Sequence, residues 1–112
     1  MSADTADALV VLTTLEKQED GERLARLLIE RELAACIQIL PQMISIYRWQ
    51  GAIEHASEVL LLIKTTRAAY QRLETTIKED HPYKTPEIIA LAIEAGSDDY
   101  LSWLAASVKT SF

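Results

Sequence analysis

The chain has one cysteine, three glycines and three prolines in 112 residues, and each scarcity excludes something. A single cysteine, Cys36, rules out an internal disulfide and suits a reducing compartment. So little glycine and proline argues against a loop-rich or disordered chain. No apolar run nears the roughly 18 residues of a membrane-spanning helix. The opening Met1-Ser2-Ala3-Asp4-Thr5-Ala6-Asp7 is acidic where an export signal would be basic. A cytoplasmic location is therefore expected, with residues 1–6 as a solvated tail. Positive charge is also short. Eleven Lys and Arg stand against 17 Asp and Glu, a net charge of −6, which repels phosphate backbones and anionic membranes. Nucleic-acid and membrane partners are not expected. There is no P-loop, dinucleotide glycine pattern or Cys-x-x-Cys. Cys36 and His81 make only a formal nucleophile and base, because nothing near Cys36 in the sequence would activate it. An enzyme is not expected.

What is present reads as one domain over residues 1–112. Leu9 to Thr14 is a short apolar, β-branched run, a strand buried on both faces. From Asp20 to Glu32 the spacing turns helical, with Leu24, Leu27, Leu28 and Arg31 on one stripe and Glu22 and Arg26 as an i,i+4 pair. Ala34 to Leu40 returns to strand character, and Pro41 marks an edge or a bulge before Met43 to Trp49. Gln50-Gly51 is a turn, and Glu58 to Lys64 is the next strand. The two strands suggest a long antiparallel hairpin whose register is open between Gly51 and Ser57. Thr65 or Thr66 can cap a second helix reaching Glu79, with Tyr70, Leu73 and Ile77 inward. A strand over Glu87–Ile93 follows. Ser97 can then cap a last helix, with Asp98 and Asp99 at its positive end.

The order β-α-β-β-α-β plus a terminal helix predicts an α+β, ferredoxin-like (split β-α-β) fold with its helices on one face of the sheet. Yet Val59, Leu61 and Ile63 alternate with Leu60 and Leu62, so both faces of that strand are apolar. A sheet open to water on one side would alternate with polar residues. A second copy of the chain is the simplest cover, and a homo-oligomer is expected.

The segment His81-Pro82-Tyr83-Lys84-Thr85-Pro86-Glu87 gathers an imidazole, a phenol, an ammonium and a carboxylate on a backbone stiffened by two prolines. It runs into Ile88-Ile89-Ala90-Leu91. Four more pieces accompany it in order: Leu33-Ala34-Ala35-Cys36, Ser45-Ile46-Tyr47-Arg48-Trp49-Gln50-Gly51, Ser57-Glu58-Val59-Leu60 and Asp99-Tyr100-Leu101-Ser102-Trp103-Leu104. Together they resemble the CutA family of divalent-cation tolerance proteins, from about Val10 to Val108. The resemblance implies a ferredoxin-like subunit in a compact homotrimer, and a part in tolerance of copper or other divalent metal ions. The family also resembles the PII signalling proteins in subunit fold and trimeric form, which implies a rival role in sensing a small metabolite or protein partner.

On that resemblance the candidate metal ligands for Cu(II) or another divalent cation are His81, Glu87 and Cys36. His81 offers an imidazole nitrogen, against the alternative of a packed, inert histidine at a helix end. Glu87 offers oxygen, but up to roughly 20 Å of extended chain separates it from His81 unless the prolines fold the loop; otherwise it caps a strand or pairs with a lysine. Cys36 offers a soft thiolate, although a buried cysteine in an apolar run usually acts as a small hydrophobe. Some family members carry a cysteine in the first strand, and Thr13 or Thr14 stands there here. His55 reads as a surface histidine. Tyr47, Trp49, Tyr83 and Trp103 read as interface aromatics. Lys64 and Lys84 read as solvated lysines or anion contacts near the loop.

Overall fold

The structure is a computed structural model and describes residues 7–111; the expected tail lies outside them. The elements are β1 (Ala8–Leu15), α1 (Gln18–Glu30), β2 (Cys36–Trp49), β3 (Ala52–Thr66), α2 (Tyr70–Asp80), β4 (Ile89–Ala92) and α3 (Asp98–Ser107). The sheet order is β2-β3-β1-β4 and every pairing is antiparallel. β3 thus enters between β1 and β2, which is the split β-α-β arrangement expected from the element order.

β3 holds the sheet together through both its edges. It pairs with β1 from Thr66↔Ala8 to Val59↔Leu15, and with β2 from Lys64↔Cys36 to Ala52↔Trp49. Its odd-numbered residues Val59, Leu61 and Ile63 face the helices, where Leu24 and Leu28 of α1 and Leu73 and Ile77 of α2 complete a core with Val11. A second cluster seats α3 at the far end of the sheet, with Leu101, Leu104 and Val108 against Ala8 and Ala69. Ser97 caps α3 as expected, its hydroxyl accepting the Tyr100 N–H at 3.3 Å.

The hairpin is longer than its apolar pattern suggests, because the stretch from Gly51 to Ser57 is also paired strand. Between Leu40↔Leu60 and Met43↔Glu58 the edge strand β2 carries one extra residue, a bulge at Pro41-Gln42. Proline lacks the N–H that a central ladder would need, so it sits where the pairing is interrupted. The tip turns through Gln50 (φ 48°) and Gly51 (φ 83°), both left-handed, as a two-residue turn that follows strand twist requires. The arms run past the body, giving a molecule of 51 × 25 × 22 Å.

Several local expectations are corrected. α1 starts two residues early, at Gln18, and stops at Glu30. Glu32 (φ 58°) then turns the chain so that the Leu33 N–H reaches the Leu28 carbonyl at 2.9 Å. In place of a Glu22–Arg26 pair, Arg23 spans Asp20 (2.7 Å) and Asp80 (3.5 Å). Neither Thr65 nor Thr66 caps α2. Thr65 donates to the Leu33 carbonyl at 2.7 Å, and a 3-10 turn, Arg67–Ala69, leads into the helix. β4 begins at Ile89, so Glu87 belongs to the loop before it.

Thr13 is fully buried on the helix-facing side of β1, and its hydroxyl has no partner among the described residues. An unpaired buried hydroxyl costs about 1–3 kcal/mol. Thr13→Val should therefore raise stability by about 1 kcal/mol, read as a higher urea midpoint at fixed protein concentration. An unchanged or lower midpoint would show that the hydroxyl is satisfied in solution.

Candidate ligand cleft at the base of the hairpin

Where the hairpin leaves the body, the face of the sheet away from α1 and α2 forms the floor of a cleft of about 710 Å³. The pleat puts Ser45, Tyr47 and Trp49 of β2 and Ala56 and Glu58 of β3 on that face, since Met43 pairs with Glu58 and parity runs outward from there. Thr14 and Glu16 at the end of β1 complete the floor, and the loop after α2 roofs it with Tyr83, Lys84, Thr85 and Glu87.

His81 shapes that roof. It is 7% exposed and closes α2, its N–H bonding the Ile77 carbonyl at 2.8 Å. The ring bridges two strangers in sequence. Nε2 lies 2.8 Å from the Thr14 carbonyl and Nδ1 accepts the Tyr83 N–H at 3.1 Å. A carbonyl can only accept and an amide N–H only donate, so Nε2 carries the proton and Nδ1 its lone pair. This neutral imidazole ties the loop to β1. Burial lowers the His81 pKa, partly opposed by the Thr14 carbonyl and by the charges of Asp80, Glu58 and Asp20.

Held by that clasp, Tyr83 sends its hydroxyl to Glu58, donating at 2.6 Å to a carboxylate whose residue is 7% exposed. Burial first, then the Glu58 bond and charge, and then Glu16, push the Tyr83 phenol well above its ordinary range. Glu58 and Glu16 are therefore both within electrostatic reach of the phenol, and the cleft floor is negative.

The three sequence candidates for metal fall in three places. Glu87 lines the cleft. His81 lies beneath it with both ring nitrogens engaged. Cys36 pairs with Lys64, six residues along β3 from Glu58 and so about 20 Å away. There the Gln38 amide donates to its sulfur at 3.2 Å and Lys64 bonds the Gln38 oxygen. Burial, and Cys36 close by, raise the Tyr100 phenol. Among the described residues no three His, Cys, Asp or Glu side chains converge to hold an ion. One chain therefore does not fit a resident metal centre. Carboxylates and a phenol without sulfur or free imidazole suit oxygen-seeking cations and not Cu(I).

Sequence reasoning missed Glu58 and Glu16 as site residues. The available signal was a lone carboxylate opening the apolar run Val59-Leu60-Leu61-Leu62-Ile63. Of the supposed interface aromatics, Tyr47, Trp49 and Tyr83 line the cleft, while Trp103 stacks with Tyr100 on α3 at 5.6 Å. His55 is exposed on the hairpin.

Known proteins match this chain along most of its length. The family model for CutA1 divalent ion tolerance proteins matches residues 9–107. The divalent-cation tolerance protein CutA of Pectobacterium atrosepticum is 45% identical over 103 residues, 92% of this chain and 94% of its own. Its counterpart from Thermus thermophilus is 47% identical over 95 residues, 85% of this chain and 92% of its own. The crystal structure of CutA1 from Oryza sativa superposes with a TM-score of 0.91 at 39% identity, covering 96% of this chain and 100% of that one.

Because the folded state binds the His81 proton less readily than the unfolded chain, stability should fall as pH drops below about 6.5 and keep falling until His81 protonates in the fold. His81→Gln should flatten that slope. Urea midpoints at pH 7.5 and 5.5 check this, and equal slopes in both proteins would remove His81 as the cause.

Proposed function

The chain belongs to the CutA1 family of divalent ion tolerance proteins, and from that premise we propose that it serves divalent-cation tolerance in the cytoplasm as a non-enzymatic homotrimer. The cation, copper or another divalent ion, is an exchangeable effector in this reading. The observation that carries it is the hairpin-base cleft, where Glu16, Glu58 and Glu87 stand against the single ammonium of Lys84. Such a surplus raises the local concentration of cations. Of the sequence candidates, Glu87 contributes directly. His81 joins a ligand set only by giving up the Tyr83 amide, and Cys36 only as a separate soft site. His81 bonds Thr14, which pairs with Leu60, whereas Cys36 pairs with Lys64, and this separation also speaks against a Cys36–His81 catalytic pair.

The trimer is supported by apolar surface that a monomer leaves in water. Ile44, Ile46 and Ile53 on one face of the hairpin are each more than 70% exposed. On the open sheet face Leu40, Ile89 and Leu91 are exposed beside half-buried Leu60 and Leu62. Contiguous patches of this kind mark interfaces. A second reading, a PII-like sensor of a small metabolite, is favoured by the cleft itself. Its volume of about 710 Å³ and its aromatic walls suit an organic molecule.

Two measurements test the proposal. Light scattering should give a mass three times that of the 12.5 kDa chain, and Ile46→Glu with Ile53→Glu should reduce it to one; a monomeric wild type would overturn the trimer. Calorimetric titration with Cu(II) at neutral pH should saturate. Glu87→Gln and Glu58→Gln should each weaken it by about tenfold, and His81→Ala, which frees the loop that carries Glu87, should weaken it less. Non-saturating heat, equal in all four proteins, would remove the cleft as a metal-binding site.

A further inference from the structure

Glu58 is nearly buried, and among the described residues no lysine or arginine forms an ion pair with it. Its identified partner is a neutral phenol. Carboxylates this far from water are normally matched by a cation, and here the space where one would stand is the cleft. Lys84 lines that space but does not come within ion-pair distance. Tyr47, Trp49 and Tyr83 supply the walls. The faces of such rings attract positive charge and pack against carbon.

A bare divalent ion uses little of this. It needs several oxygens converging at about 2.0–2.6 Å, and no such group forms among the described residues. An ammonium or guanidinium on an apolar body needs one buried carboxylate for a charge-assisted hydrogen bond, aromatic faces for its carbon and its charge, and room for several heavy atoms. The cleft has all three. We propose that the hairpin-base cleft binds a small organic cation, with its charged head on Glu58 and its apolar body against Tyr83 and Tyr47. The Tyr83 hydroxyl holds the Glu58 carboxylate in place, and Glu16 adds to the negative field without touching the ligand. This rests on the cleft being the ligand site, and it names the class of molecule that a sensing role would read.

The test uses the intact protein carrying Trp103→Phe, which leaves Trp49 as its sole tryptophan, since the chain has two. Putrescine, tetramethylammonium and arginine amide are titrated while Trp49 emission is followed, with sodium chloride at matched ionic strength as the control. The expected result is a saturable change for at least one amine at sub-millimolar concentration. Glu58→Gln, which keeps the shape and an acceptor for Tyr83, should weaken it at least about tenfold. In calorimetry, Tyr47→Leu should weaken the same amine while retaining the wild-type oligomeric mass. A response no larger than that of salt, or one equal in Glu58→Gln, overturns the proposal. Parallel calorimetry with Cu(II) separates the two readings. Saturation by Cu(II) with no amine binding overturns the organic cation and leaves the metal role standing. Amine binding without Cu(II) binding does the reverse, and binding of neither removes the cleft as a site.

Discussion

Leu61 and Ile63 are sealed under the helices, while Leu60 and Leu62, their immediate neighbours, point the opposite way and remain only half covered. A strand that is apolar on both faces must be covered on both. β3 sits between β1 and β2 in the sheet, so this requirement passes to everything paired with it. On one side α1 and α2 meet it with a closed core. On the other, α3 covers only the end at Ala8 and leaves Leu40 and Leu91 exposed beside half-buried Leu60 and Leu62, and the isoleucines of the projecting hairpin form a second uncovered patch on its opposite side. Apolar area of this extent is stabilised chiefly by removal from water.

The cleft follows from the same geometry and adds one clasp. A hairpin longer than the sheet it belongs to leaves an inside corner at its base, and the loop after α2 crosses that corner. What keeps the loop there is an imidazole that serves as donor to β1 and acceptor for its own loop two residues on. Those bonds need a neutral ring, and burial provides it. Tyr83 is aimed by this clasp and in turn satisfies the buried Glu58 carboxylate. The residue most suggestive of metal binding in the sequence is thus engaged in building the roof, and the negative charge that faces the cavity comes from carboxylates contributed by three separate segments.

The element order, the turn at Gln50-Gly51, the break at Pro41 and the Ser97 cap were legible because each depends on local chemistry: φ preference, a missing N–H, a short side-chain acceptor. The Thr65 or Thr66 cap failed because Thr65 found a better partner in the Leu33 carbonyl across the fold. The hairpin's full length was hidden because its tip is paired by backbone and not by a buried alternating face. For the site, Glu87 and the aromatics could be named in advance but not located. Glu58 and Glu16 carried no signal strong enough to stand out from solvated acids.

By itself the sequence determined the fold class and the doubly apolar strand, since hydrophobic periodicity and turn chemistry act over a few residues and are written in order. Only the tertiary structure decided which groups share a space. Thr14 and His81 meet across 67 positions, and Glu58 and Tyr83 across 25. Pairings of that range are set by sheet register and by the path of one loop, so the tautomer of His81, the burial of Glu58 and the separation of Cys36 from both emerge only when the chain has closed on itself.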